Sequence, residues 1–165
     1  MSRRFLVLFI ILLIIYLAIS GSISPIDLLL GSITSIIVSA LLSRYVIKSE
    51  EKLSVSRLVF LIKYFFHYLF VIEVKAHLNV MKRILSPSLP INPGIVEVPY
   101  DLESDYSATL TANSITNTPG TVVVSIDHEN KKLYVHWIDV KTIDPMECRR
   151  YISETFEKYA KKIFD

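Results

Sequence analysis

The 165-residue sequence contains a single cysteine and only four glycines, and both scarcities exclude classes of protein. Cys148 alone cannot form an intramolecular disulfide framework or a multi-cysteine metal site. The sequence has no Gly-x-Ser-x-Gly elbow and no glycine-rich phosphate loop, which serine hydrolases and many nucleotide-binding enzymes carry. The formal net charge of +2 is too small to indicate a nucleic-acid-binding protein. We therefore predict no catalytic residues and no cofactor.

Histidines are also few, and two of them are the best remaining candidates for metal ligands. His128 falls in a predicted hairpin turn, and His136 lies several residues along the following strand. At about 3.4 Å per residue, the two rings lie on the order of 10 Å or more apart, too far to share one ion. Cys148 has no histidine near it in the sequence. We therefore predict no metal site and no catalytic thiol.

Apolar residues are abundant and unevenly placed. They make up 52% of the chain, and the mean hydropathy is +0.44, which favours a membrane protein over an ordinary soluble domain. We expect membrane helices in residues 1–85 and a small soluble α+β domain in residues 95–165. Residues 86–94 hold three prolines and a glycine, so we predict a linker there.

The first two membrane helices are predicted at about residues 5–22 and 26–47. Residues 5–19 are uninterrupted and uncharged, about 23 Å long as a helix, close to one membrane span. A cleavable signal peptide is the alternative, but no Ala-x-Ala cleavage site is present. The second helix has a clear start, because Ser24 can cap it, Pro25 suits its first position, and Asp27 completes a capping box.

Small residues recur every four positions in the second helix: Gly31, Ser35, Ser39 and Ser43. Such a stripe lets another helix approach closely, and serine hydroxyls can form hydrogen bonds across the contact. We therefore predict a helix-packing interface. Its partner is either the first helix or a helix of another subunit, and the sequence leaves both open.

Basic residues flank the predicted hairpin on both sides: Arg3 and Arg4 before it, and Arg44, Lys48, Lys52 and Arg57 after it. The short turn between the helices carries no charge. By the positive-inside rule, both ends of the hairpin lie in the cytoplasm. We predict a multi-pass protein of the cell membrane, embedded in the lipid bilayer, with a cytoplasmic C-terminal domain.

A third apolar segment, residues 57–85, is interrupted by Lys63, His67 and Glu73. A charge at the bilayer centre costs roughly 2.5–3.5 kcal/mol, so these groups would face protein or water. Lys63 and His67 share one helical face and could line an ion path, or they could lie at the membrane interface. The basic end of the segment argues against a full crossing, and we favour a helix packed along or obliquely into the membrane.

The soluble half reads as β-α-β-β-α. A strand at residues 95–99 precedes a helix from 101 to about 115, with Leu102, Tyr106 and Leu110 on one side. The runs TVVVSID and KLYVHWI form a hairpin. The final helix, from Pro145, places Glu154–Lys158 and Glu157–Lys161 as exposed i,i+4 pairs. This order predicts a split, ferredoxin-like α+β domain that lacks its last strand.

Two long stretches and the apolar hairpin together resemble a known family. The stretches are NPGIVEVPYDLESDYSATLTANSITNTPGTVVVSID and LYVHWIDV. They resemble the E subunit of the multisubunit Mrp-type sodium/proton antiporters, including its counterpart in archaeal membrane-bound hydrogenase or sulfur-reductase complexes. The most characteristic segment, here named the signature turn, spans residues 113–120; its members are Asn113, Ser114, Thr116, Thr118, Pro119 and Gly120. Asn117 departs from the apolar residue expected there.

The resemblance implies a non-catalytic accessory membrane subunit whose partners are the other membrane subunits of an antiporter or respiratory complex. Ion translocation in such complexes is attributed mainly to larger subunits. Whether this chain serves a stand-alone antiporter or a hydrogenase-type complex stays open. We interpret the polar signature turn as a structural hinge, since Thr and Asn side chains can bond free backbone groups where a helix ends.

Overall fold

The computed structural model describes residues 2–47, 50 and 53–165. These form two compact units that divide between Ser54 and Val55. The predicted linker at residues 86–94 joins the third helix to the first strand, and the domain boundary expected there stays a prediction. Lys48 and Lys52, which we used to orient the hairpin, lie outside the described residues.

The first unit is a hairpin of two helices, α1 (Arg3–Ser20) and α2 (Pro25–Val46). Its turn begins at Gly21, which adopts the left-handed conformation with φ of 65°. The predicted cap is present: the Ser24 hydroxyl accepts the Asp27 N–H at 3.2 Å and donates to the Asp27 carboxylate at 2.6 Å. The hairpin's first helix begins beside residue 50, because Arg4 pairs with Glu50 at 3.1 Å.

The second unit begins with one long helix, here called the third helix, Val55–Ile84. It consists of α3 (Val55–His67), a π-helical turn (Tyr68–Ile72) and α4 (Glu73–Ile84). Within the described part of the chain, α1, α2 and the third helix are the three helices long and apolar enough to cross a membrane. The elements that follow are β1 (Gly94–Pro99), α5 (Asp105–Asn117), β2 (Thr121–Asp127), β3 (Lys132–Trp137), α6 (Pro145–Ile152) and α7 (Glu154–Phe164).

The three strands form one antiparallel sheet in the order β1-β3-β2. Val98 is paired with Leu133, Val123 with Val135, and a bulge follows Val123. This is the strand order of a ferredoxin-like fold without its fourth strand, so the predicted fold class is confirmed. On the outer face of the sheet, the exposed residues Ile95, His136 and Val122 lie in one cross-strand row.

The inner face of the sheet packs against helices and forms the core. Its fully buried residues include Val98, Leu133 and Val135, which cluster with Ile115 of α5 and Ala160 of α7. Tyr64 of α3 joins the same cluster. The third helix therefore covers the helix layer, on the side opposite the exposed sheet face.

Two predictions about the helices of the soluble half were wrong. Helix α5 starts at the Ser104 cap, so Leu102 is buried but lies outside the helix. Tyr106 is exposed, because the buried side of α5 carries smaller residues such as Ala108 and Ala112. The final helix is divided at Ser153 into α6 and α7.

Glu157 explains that division and corrects a predicted pair. Its side chain is 3% exposed instead of facing solvent beside Lys161. It accepts hydrogen bonds from the Arg149 guanidinium at 2.7 and 3.1 Å, from the Ser153 hydroxyl at 2.6 Å and from the Asp101 N–H at 3.1 Å. Lys161 pairs with Asp101. This buried carboxylate, with its four hydrogen bonds, holds together α6, α7 and the loop that precedes α5.

Candidate functional site

The small-residue stripe of α2 faces α1. Gly31, Ser35, Ser39 and Ser43 are the buried residues of α2, in a helix whose large apolar side chains are mostly exposed. A Cβ at Gly31 would lie 2.6 Å from a ring carbon of Tyr16, so any larger residue would have to displace that ring. The sequence left open whether the stripe packs against the first helix or against another subunit. In the structure, it packs against the first helix.

The candidate ion-path residues are not brought together. Lys63 is exposed, with its ammonium 5.7 Å from the Phe60 ring centroid. The His67 ring packs against Tyr159. Glu73 contacts His77 at 3.2 Å, its carboxylate interacts with the Tyr68 hydroxyl, and its Oε1 is buried. Among the described residues, no ion pair joins Lys63, His67 and Glu73 to one another.

The signature turn uses its hydroxyls on its own backbone. Ser114 donates to the Leu110 carbonyl at 2.7 Å, and Thr118 donates to the Ser114 carbonyl at 2.7 Å, in the last turn of α5. The Thr116 hydroxyl accepts a hydrogen bond from the Val123 N–H at 3.1 Å, so this N–H at the edge of β2 has a partner. The Ser114 carbonyl also accepts the Thr118 N–H at 3.1 Å, so the two helix bonds add second donors to backbone carbonyls, while the bond from Val123 satisfies an N–H at the sheet edge. Asn113 is exposed, in a shallow depression beside Tyr64 and Tyr68.

The same turn also holds the third helix. The hydroxyls of Tyr64 and Ser114 are hydrogen-bonded to each other and buried. The Asn117 amide donates to the Tyr68 hydroxyl at 3.0 Å, and that hydroxyl lies 3.5 Å from Thr118 Oγ1. Ser114, Asn117 and Thr118 therefore bind the third helix.

Pro119 and Gly120 turn the chain from α5 into β2 beneath α4. Gly120 has φ of 99°, which only glycine adopts without strain. A Cβ there would meet Ile138 Cγ2 at 3.1 Å and Val80 Cγ2 of α4 at 3.6 Å. An open cleft of about 400 Å³ adjoins this contact, between α4, the signature turn and the side chains of Trp137 and Tyr151.

An ionic cluster closes one end of that cleft. Asp139 contacts Arg83 of α4 at 2.5 Å and also pairs with Lys141. Arg83 donates further to the Pro90 carbonyl. The hydrogen bond from Lys141, together with Arg83, lowers the pKa of Asp139 and outweighs its partial burial. The cluster fastens the C-terminal end of the third helix to the segment that follows β3.

The residues considered for catalysis or metal binding are not arranged for either. Cys148 is buried, its thiol donates to the Thr142 carbonyl at 3.2 Å, and burial raises its pKa. A buried thiol with a raised pKa is a poor nucleophile. His128 and His136 lie in the β2–β3 turn and on the outer sheet face. No group of three or more His, Cys, Asp or Glu residues fit for a metal ion occurs in the described part of the chain.

The sequence reasoning missed the residues that join the third helix to the domain and fix its helices: Tyr64, Tyr68, Arg83, Asp139 and Glu157. Tyr64 and Tyr68 are four residues apart on one helical face, which was the only available signal. Their partners are about 50 residues away, so no local pattern could reveal the pairing.

Comparisons with known proteins agree on one family. The chain matches the family model described as Na+/H+ ion antiporter subunit over residues 9–163. It is 32% identical over 148 residues to the E subunit of the Na+/H+ antiporter of Alkalihalophilus pseudofirmus, with 90% of each chain covered. It is 34% identical over 153 residues to the antiporter's E1 subunit in Staphylococcus haemolyticus, with 93% of this chain and 92% of that one covered.

A solved structure has the same fold over the whole chain. It is a chain of an archaeal respiratory membrane complex, the membrane-bound sulfane sulfur reductase. The two chains superimpose with a TM-score of 0.82 and are 35% identical, with 99% of this chain and 100% of that one covered. With its apolar hairpin, third helix and split ferredoxin-like domain, this chain belongs to the E-subunit family of the Na+/H+ antiporters.

Proposed function

We propose that this chain is a non-catalytic accessory subunit of an Mrp-type cation/proton antiporter complex, where it supports assembly and sodium/proton exchange. Family membership over almost the whole chain is the observation that carries the proposal. The site geometry supports it, because the characteristic polar segment binds the fold together. A subunit whose polar groups hold its own framework is suited to a structural role.

The hairpin offers the surface for neighbouring membrane subunits. Its small-residue stripe is occupied by contact between α1 and α2, so a partner would meet large apolar side chains on the other faces. These include Ile10, Ile14, Leu29, Ile33 and Leu41, which are exposed. Van der Waals packing between side chains is one of the forces that associate helices in lipid.

The proposed location is the cell membrane, with the α+β domain on the cytoplasmic side. Arg3 and Arg4 at the start of α1 and Arg44 at the end of α2 support this orientation by the positive-inside rule. The Arg4–Glu50 pair is compatible with both ends of the hairpin lying on one membrane face.

Deletion of the gene tests the assembly role. We expect sodium-dependent growth to fail and the complex, purified through a tag on a large antiporter subunit, to lose other members. Expression of the wild-type chain from a plasmid should restore both. A complex of otherwise complete composition and full exchange activity without this chain would refute the proposal.

The same subunit in the antiporter module of a membrane-bound hydrogenase-type respiratory complex is the second candidate. The similarity to the sulfane sulfur reductase chain, at a TM-score of 0.82, favours it. The chain would then be a non-catalytic part of a larger redox-driven enzyme. Affinity purification of the tagged chain from native membranes separates the two, because only this candidate predicts co-purifying redox subunits.

A direct contribution to an ion path is the third candidate. It rests on Glu73, whose Oε1 is buried beside a π-helical turn. Such turns occur frequently at functional sites. Neutral replacements Lys63→Met, His67→Phe and Glu73→Gln should each reduce transport in an intact complex. Unchanged transport in all three variants would eliminate this role.

A further inference from the structure

We propose that the third helix does not cross the membrane but lies in its surface, with the lipid bilayer against its exposed face. The helix would hold the α+β domain flat against the membrane. The inference requires a membrane location and not the antiporter role, so either can fail while the other stands.

The domain contacts both ends of the third helix. In its first turn, Arg57 donates to the carbonyls of Ile163 at 2.9 Å and Asp165 at 3.2 Å. In its last turn, Arg83 binds Asp139 at 2.5 Å. The two arginines are 26 residues apart, about 39 Å along a helix, whereas the hydrocarbon core is about 30 Å thick. A domain that touches both ends cannot lie on one side of a membrane that the helix crosses.

Between these two ends, the third helix makes further contacts with the domain. Phe60, Tyr64 and Tyr68 pack against the domain, and Val80 faces Gly120. The ammonium of Lys162 lies 4.8 Å from the Phe60 ring centroid. A crossing would place that lysine and the polar end of α5 at membrane depth, where a charged side chain costs roughly 2.5–3.5 kcal/mol.

The opposite face of the third helix is exposed and strongly apolar. Its members include Leu58, Ile62, Phe66, Leu69, Phe70 and Met81. A continuous apolar face of this length is far larger than the single exposed side chains normal on a soluble surface. A helix with one apolar and one protein-covered face is suited to burial in the headgroup–acyl boundary.

Lysines mark the border of that face along its length. At about 100° per residue, Lys63 lies roughly 100° from the buried Tyr64. Lys75 and Lys82 lie roughly 100–120° in the same direction from Ala76, which is half-buried on the domain side. All three lysines are exposed. Long cations at the border of an apolar face fit a planar, anionic headgroup layer, into which the ammonium groups can extend. That charge pattern favours lipid over a partner helix as the occupant.

Depth measurements on the full-length chain test the proposal. Single cysteines replace Leu58, Phe66 or Met81 in a Cys148→Ser background, and each carries a fluorescent label in phosphatidylcholine–phosphatidylglycerol vesicles. Quenchers are placed on the lipids either near the headgroup or near the bilayer centre. We expect all three labels to be quenched mainly by the shallow quencher, to the same extent. Val122→Cys, on the outer sheet face, is the control and should be quenched by neither.

Other outcomes overturn the proposal. Deep quenching at Phe66 with shallow quenching at Leu58 and Met81 would show a third span, and no quenching at any position would show that lipid does not cover this face. A second variant, with Lys63, Lys75 and Lys82 all replaced by glutamate, is measured through the Phe66 label. Loss of shallow quenching in the anionic vesicles but not in pure phosphatidylcholine is expected. An equal response in both vesicles would contradict the lysine contacts.

Discussion

The hydroxyl of Tyr64 in the third helix donates its proton to the hydroxyl of Ser114 in the signature turn. The direction follows from the neighbouring bond, because Ser114 already donates its only proton to the Leu110 carbonyl at 2.7 Å. The characteristic polar segment of this family thus fixes the third helix to the α+β domain. The buried thiol of Cys148 provides a reporter of that domain, since it becomes accessible to alkylation only when the core opens.

Removing either hydroxyl of the Tyr64–Ser114 pair should destabilise the domain unequally. Ser114→Ala leaves a buried phenol without an acceptor and should cost about 1–3 kcal/mol, whereas Tyr64→Phe leaves Ser114 with its own bond and should cost about 1 kcal/mol. The midpoint of Cys148 alkylation on heating, measured in detergent, reports the difference. Tyr106→Phe, at an exposed tyrosine, is the control and should change little. Equal stability of all three variants would contradict the assigned bond.

Gly120 should be intolerant of a side chain for a backbone reason. Gly120→Ala introduces a Cβ 3.1 Å from Ile138 and also forces alanine into φ of 99°. Gly94→Ala is the matched control, because its Cβ would lie 3.1 Å from Val140 without a positive φ. Strained backbone conformations cost on the order of 1–3 kcal/mol, so Gly120→Ala should unfold at a lower Tm than Gly94→Ala. The expectation fails if the two melting temperatures coincide.

Two glutamates in α7 should differ sharply in importance. Glu157→Gln removes the charge from a carboxylate that is 3% exposed and bound to Arg149, and should cost on the order of 3 kcal/mol. Glu154→Gln breaks an exposed pair with Lys158 and should cost about 0–1 kcal/mol. Chemical denaturation followed by Cys148 alkylation measures both. Comparable losses would mean that the buried network does not hold α6 against α7.

The attachment of α4 should weaken in acid. The hydrogen bond from Lys141, together with Arg83, lowers the pKa of Asp139 below its usual value of 3.8. A carboxyl whose pKa is lower in the folded state stabilises it fully above the unfolded pKa and loses that contribution as pH falls through the folded one. The Tm advantage of the wild type over Asp139→Asn should therefore be constant above about pH 5 and should shrink below about pH 4. An advantage that persists unchanged in strong acid would show that charge on Asp139 is not its source.

Local patterns in the sequence predicted the strands and the order β-α-β-β-α, although the start of α5 and the division of the last helix into α6 and α7 were missed. The cap formed by Ser24, Pro25 and Asp27 was predictable because all its atoms come from one helical turn. The bend at Pro119 and Gly120 was predictable because these residue types restrict the backbone wherever they occur. Residue pattern alone also indicated the family, since the signature turn is contiguous in the chain.

Tertiary structure alone decided what covers each apolar or polar face. Periodicity shows that a helix has two faces, but the partner of a face comes from distant residues, as Ser114 does for Tyr64. The same limit made Glu157 appear to be an exposed partner of Lys161, whereas Arg149 and the Asp101 backbone hold it in the core. The small-residue stripe likewise predicted a contact without naming α1. The sequence determined the helices and turns because their bonds are local, and the structure determined their assembly because its contacts join residues far apart in the chain, as the pairing of β1 with β3 also does.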